Sequence, residues 1–129
     1  NLDGIINLTR AQMQNMERRG EERIQVSQPR RQLSHRHSAQ QVAVCIVDLN
    51  YFGLLMQLED PAQLVFVDAH PRDLALNLCD DEGTFRIECL IFDSTAQGIR
   101  ALFKHGSFEN ADRLLRFVER QKQLQTAAV

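Results

Sequence analysis

Tryptophan is absent from these 129 residues, and aromatic side chains make up only 6% of them. An oligonucleotide-binding face needs aromatic platforms interleaved with a spread of basic residues, so that reading is disfavoured. No apolar run approaches the ~20 residues that cross a bilayer, and no signal-peptide pattern opens the chain. A cytoplasmic protein without direct membrane insertion is therefore expected. Cysteine is scarce as well. Cys45, Cys79 and Cys89 are odd in number, lack C-x-x-C spacing and each sit in an apolar alternation. They read as reduced thiols of a cytoplasmic protein, not as a disulfide framework. There is no phosphate-binding glycine loop, no internal repeat and no low-complexity tract.

What is present is enough for one domain. A chain of this length buries roughly two-thirds of the surface it would expose when unfolded. Its 43% hydrophobic and 25% charged content reads as globular. Net charge is −2, spread unevenly. Residues 1–38 carry seven arginines against Asp3, Glu17, Glu21 and Glu22, a balance of +3, and the remainder stands at −5. A basic leading segment on an acidic body favours a small anion bound locally over a long nucleic-acid track. The chain opens on Asn1 and not on Met, so an excerpt of a longer protein, or a processed one, is expected.

The hydrophobic period changes along the chain. Residues 8–17 read as a short helix, with Thr9 and Gln12 as a capping box and Gly20 as a stop. Residues 1–17 are thus taken as helix and linker, and residues 18–129 as the body. Ile24 and Val26 begin a strand that heads toward Leu33 and is interrupted at Pro29, which cannot donate to a ladder. Val42 to Val47 is an unbroken apolar run, read as a strand buried on both sides. Leu54, Met56 and Leu58 follow Gly53, and Leu74, Leu76 and Leu78 alternate cleanly. Asp80-Asp81-Glu82-Gly83 is a turn into Phe85, Ile87, Cys89 and Ile91, and Gly98 to Phe103 forms the last strand. Several short strands with no helices between them predict a mainly β fold, an antiparallel barrel or sandwich. A closing helix after Ser107 presents Ala111, Leu114, Leu115 and Val118 inward, with Arg113, Arg116 and Arg120 largely outward.

Two motifs carry chemistry. Arg19-Gly20-Glu21-Glu22-Arg23, with Arg18 beside it, lies at the helix-to-strand junction. A guanidinium is a planar charged fork that pairs with phosphate oxygens or with guanine O6 and N7. Asp48-Leu49-Asn50-Tyr51-Phe52-Gly53 ends the buried strand. Asp48 and Asn50 offer hydrogen-bonding groups for a base edge, and Gly53 allows close backbone approach. Together they point to a guanine nucleotide with more than one phosphate. His35 and His37 share a strand face, but no third ligand is evident nearby, so they read as surface histidines and no metal is expected.

In order and spacing these motifs resemble the PilZ domain, the bacterial receptor module for cyclic di-GMP. That family has R-x-x-x-R before its first strand and D/N-x-S-x-x-G two to three dozen residues later. Here 25 positions separate Arg23 from Asp48. The resemblance covers about residues 17–125. It implies a small split β-barrel with a short N-terminal helix and a C-terminal helix. It also implies a ligand site formed by Arg18, Arg19, Arg23, Asp48, Asn50 and Gly53. Arg19 and Arg23 would grip phosphates and guanine edges, Asp48 would accept from guanine N–H groups, and Gly53 would keep the turn clear for the base. Asn50 departs from the family's serine, and Tyr51 and Phe52 are bulkier than the usual residues, with packing the expected role for the two rings. The implied protein is non-enzymatic, has no cofactor, and passes a conformational change to an attached effector domain or protein partner.

Three other readings are weighed against it. A degenerate PilZ domain would act as an adaptor without nucleotide binding. Val44 to Phe52 superficially resembles the metal-binding strand of diguanylate cyclases, yet no G-G-D/E-E-F follows it. An oligonucleotide-binding barrel lacks its basic and aromatic face.

Overall fold

The computed structural model describes residues 24–26, 31–104, 106 and 108–127. Seven strands run β1 Ile24–Gln25, β2 Arg31–His35, β3 Gln41–Leu49, β4 Gly53–Leu58, β5 Leu74–Asp80, β6 Gly83–Thr95 and β7 Gly98–Lys104. All their pairings are antiparallel. The order β3-β2-β5-β6-β7-β4 closes on itself because β4 pairs back to β3, and β1 lies outside that ring on β3. The molecule is therefore mainly β, a closed six-stranded antiparallel barrel with one outer strand and a C-terminal helix. Closure gives every strand of the ring a neighbour on each side, which is how such folds avoid a free edge strand.

One edge of β3 carries two strands in succession. Arg31 to Ser34 of β2 pair with Val44 to Gln41, and farther along Ile24 and Gln25 of β1 pair with Leu49 and Asp48. Val26 continues the second ladder by donating to the Val47 carbonyl over 3.0 Å. The interrupted strand read from Ile24 toward Leu33 thus appears as β1 and β2, and Pro29 lies outside the described residues. The N-terminal helix over residues 8–17 also lies outside them.

The core follows the period of two. Val42, Val44 and Ile46 are buried, while Ala43, Cys45 and Val47 between them are half-buried. Between Ile46 and Asp48 the register with β4 slips, and from there the odd-numbered Leu49 points into the core. That is the signature of a bulge, in which one extra residue swaps the faces. A second slip lies between Ile91 and Asp93 of β6. On that strand Phe85, Ile87, Cys89 and Ile91 enter the main core, whereas Leu90 and Phe92 join Leu102 in a small apolar cluster of their own.

The helices differ from the sequence-based expectation in two ways. No helix is expected between strands, but the β4–β5 connection holds one: a 3₁₀ turn Pro61–Gln63 leads into α1, Leu64–Ala69. Asp60 starts it by accepting from the Ala62 amide over 3.0 Å, and α1 buries Phe66 and Val67 against the barrel while Val65 stays 77% exposed. Six residues are too few to show a helical period. The closing helix α2, Phe108–Ala127, is present but rotated from the predicted stripe. Leu114, Phe117, Val118 and Gln121 are buried, and Leu115 is 39% exposed. Arg113 is not on a solvated face either. Its Nε and Nη2 donate to both Asp80 oxygens at 3.0 and 2.7 Å, and its guanidinium lies 4.6 Å from the centre of the Phe85 ring.

Candidate ligand-binding site

The second motif sits at the corner where β3 turns into β4. Asn50 donates its backbone N–H to the Gly53 carbonyl over 2.9 Å. Its side-chain Oδ1 accepts from the amides of Phe52 at 2.8 Å and Gly53 at 2.9 Å. This is an Asx-type turn, in which a short side chain stands in for backbone. The side chain is fully buried, with its oxygen held inside the turn it shapes. Gly53 also meets a steric demand of the barrel itself. A Cβ on it would stand 2.3 Å from the Ala101 carbonyl oxygen of β7, the strand with which it pairs. The glycine thus lets β4 and β7 approach as the barrel closes.

Asp48 lies on the bulge, half-buried, opposite Gln25 on one side and Leu55 on the other. Bulges re-aim side chains at sheet edges and next to sites. The two aromatic neighbours are half-buried. Phe52 packs on Leu90, Phe92 and Leu102, and Tyr51 meets it edge to face with centroids 6.0 Å apart. The expected packing role therefore holds for Phe52.

Arg18, Arg19 and Arg23 lie outside the described residues. Ile24, which directly follows Arg23 in the sequence, pairs with Leu49. The strand that follows the first motif runs alongside the strand that ends in the second. Of the six expected site residues, the three that are described, Asp48, Asn50 and Gly53, lie in one corner, and of these three Asp48 is half-buried and the other two are buried.

A concavity of about 750 Å³ lies between α2 and the β5–β6 turn, lined by Arg31, Asp80, Glu82, Arg116 and Arg120 among others. It does not include the Asp48 corner. Arg116 there is engaged by Glu82 at 3.2 Å and Asp112 at 3.1 Å, so the groove is mixed in sign and less suited to drawing in a polyanion. Within the barrel wall, burial pushes the Cys89 thiol up to about 12, which makes it an inert core residue. Burial lowers the Lys104 ammonium below its ordinary value, and Nζ donates to the Arg72 carbonyl over 2.7 Å. Among the described residues no helix is long and apolar enough to cross a membrane. No family model matches the chain, and no curated protein matches it.

Proposed function

We propose that this domain is a PilZ-type, non-enzymatic receptor that binds cyclic di-GMP between R-x-x-x-R and D-x-N-x-x-G. One observation carries the reading: β1 is laid against the Asp48 end of β3, in register Ile24 with Leu49 and Gln25 with Asp48. The reading takes this pairing as the route by which motifs 25 residues apart in the sequence share one corner of the barrel. In this reading Arg19 and Arg23 grip the phosphates and guanine edges, Arg18 adds positive charge, and Asp48 accepts from guanine N–H groups. Asn50 and Gly53 contribute by building the turn. Binding then fixes the junction at residues 17–23 against the barrel and passes the change to an attached domain or partner.

Hydrogen bonds to ionised groups contribute about 1.5–3 kcal/mol each, and about 1.4 kcal/mol is a factor of ten. Arg19→Ala and Arg23→Ala should each weaken cyclic di-GMP binding by about tenfold or more in isothermal calorimetry. Unchanged affinity in both variants would remove those residues from the site.

A second reading, an adaptor without nucleotide binding, draws support from the burial of Asn50, whose side-chain oxygen is spent inside the turn. It predicts a folded barrel that gives neither heat nor a thermal shift with cyclic di-GMP.

A further inference from the structure

The end of β2 and the turn from α1 into β5 bring together three side chains from two distant stretches of the chain. His35 closes β2, and His70 and Asp73 flank the Pro71-Arg72 turn. One ligand atom from each lies within 4.8 Å of the other two, and all three residues are half-buried. The His35 and His70 rings stand 4.3 Å apart between centroids. His37, the residue paired with His35 by sequence spacing, instead lies in the turn after β2.

The turn that carries two of the groups is fastened at every residue. The His70 carbonyl accepts from the Asp73 amide at 3.2 Å, and the Pro71 carbonyl from the Ile91 amide at 2.8 Å. The Arg72 carbonyl accepts from Lys104 Nζ at 2.7 Å, and the Asp73 carbonyl from the Arg36 amide at 2.8 Å. Phe66 of α1 braces the His70 ring at 5.4 Å between centroids. The last of these hydrogen bonds ties the turn directly to the residue after His35. Such fixing removes most of the ordering cost that ligation would otherwise carry.

We infer that His35, His70 and Asp73 form a binding site for a borderline divalent cation of the zinc class, clamping the end of β2 to the turn before β5. Two imidazoles and one carboxylate are a donor set that zinc and neighbouring first-row ions accept, with water completing the coordination. Donors about 2.0–2.2 Å from zinc in a tetrahedron stand roughly 3.3 Å apart. The three atoms therefore close by about 1.5 Å at most, a movement that ring and carboxylate rotations supply. The His37 amide donates to Nδ1 of His35 over 3.3 Å. Metal binding uses one ring nitrogen for the ion and the other for a proton, so this long contact is given up at small cost. The nearby cation Arg36 is compensated by Glu88 at 2.7 Å. The site is independent of the nucleotide reading, since none of its residues belongs to either motif.

The test is a titration of the domain with zinc by calorimetry and with cobalt(II) by visible absorption. Wild type should take up one zinc per chain at this site. The cobalt spectrum should show nitrogen and oxygen coordination without a thiolate charge-transfer band, which separates the site from the three free cysteines. His70→Gln and Asp73→Asn should each weaken binding by about tenfold or more. Absence of binding by wild type, a thiolate band, or unchanged affinity in both variants would overturn the inference.

Discussion

Asn50 holds two amides with one oxygen, those of Phe52 and Gly53. The Gly53 bond is buried and the Phe52 bond partly so, and a buried donor left without an acceptor costs about 1–3 kcal/mol. Asn50→Ala should therefore lower unfolding stability in urea by about that amount. Asn50→Ser, whose hydroxyl can form the equivalent turn more weakly, should lose less. Equal losses in the two variants would show that Oδ1 does not hold the turn. The same residues show what a motif in a sequence conceals. The pattern D-x-N-x-x-G was legible as a turn after a buried strand, and it is one. The reason for Gly53 was not legible, because Ala101, whose carbonyl oxygen a Cβ would meet at 2.3 Å, is 48 positions away along the chain. Glycine there answers to the neighbouring strand.

At the scale of elements, strands were readable wherever alternation ran unbroken, as in Leu74, Leu76 and Leu78, all buried. The bulges were not, because a slip such as that between Ile46 and Asp48 depends on pairing with β4 and leaves no local mark in the sequence. Helix α2 was placed correctly and its stripe only in part: Leu114 and Val118 are buried, and Leu115 is not. Adjacent Leu114 and Leu115 leave the apolar face ambiguous, and the barrel selects the face of Leu114, Phe117, Val118 and Gln121. That rotation swings Arg113 onto Asp80, joining the helix to the β5–β6 turn. The Arg113 hydrogen bonds hold the Asp80 carboxyl below its ordinary value of 3.8, with burial opposing them. A carboxylate lowered in the folded state contributes stability that is present above its unfolded pKa and lost as pH falls through the folded one. Arg113→Gln removes the cause. Its thermal stability should lie below wild type at neutral pH, and the gap should narrow as pH drops below about 4. A gap independent of pH would show that the pair contributes no linkage.

For the whole molecule, closure divides the chain into parts that open together and parts that open alone. The ring β3-β2-β5-β6-β7-β4 has each strand paired on both sides, whereas β1 is two residues long and hangs on β3 alone, with α2 packed against it. Local opening of β1 should therefore require less free energy than opening of the barrel. Hydrogen exchange reads this directly at the Val26 amide, which donates to Val47, against Leu76 in the middle of β5. Ligand binding adds protection only against openings that destroy its site, by a factor approaching 100 when the ligand stands at about 100 times its Kd. If cyclic di-GMP sits between the two motifs, Val26 gains that factor, because losing β1 from β3 separates them. The His70 amide, bonded to Val67 at the end of α1, opens without touching the corner and should gain little. Bound ligand with Val26 unprotected would show that the nucleotide site does not involve β1, and a gain at His70 equal to that at Val26 would show that the barrel opens only as a whole.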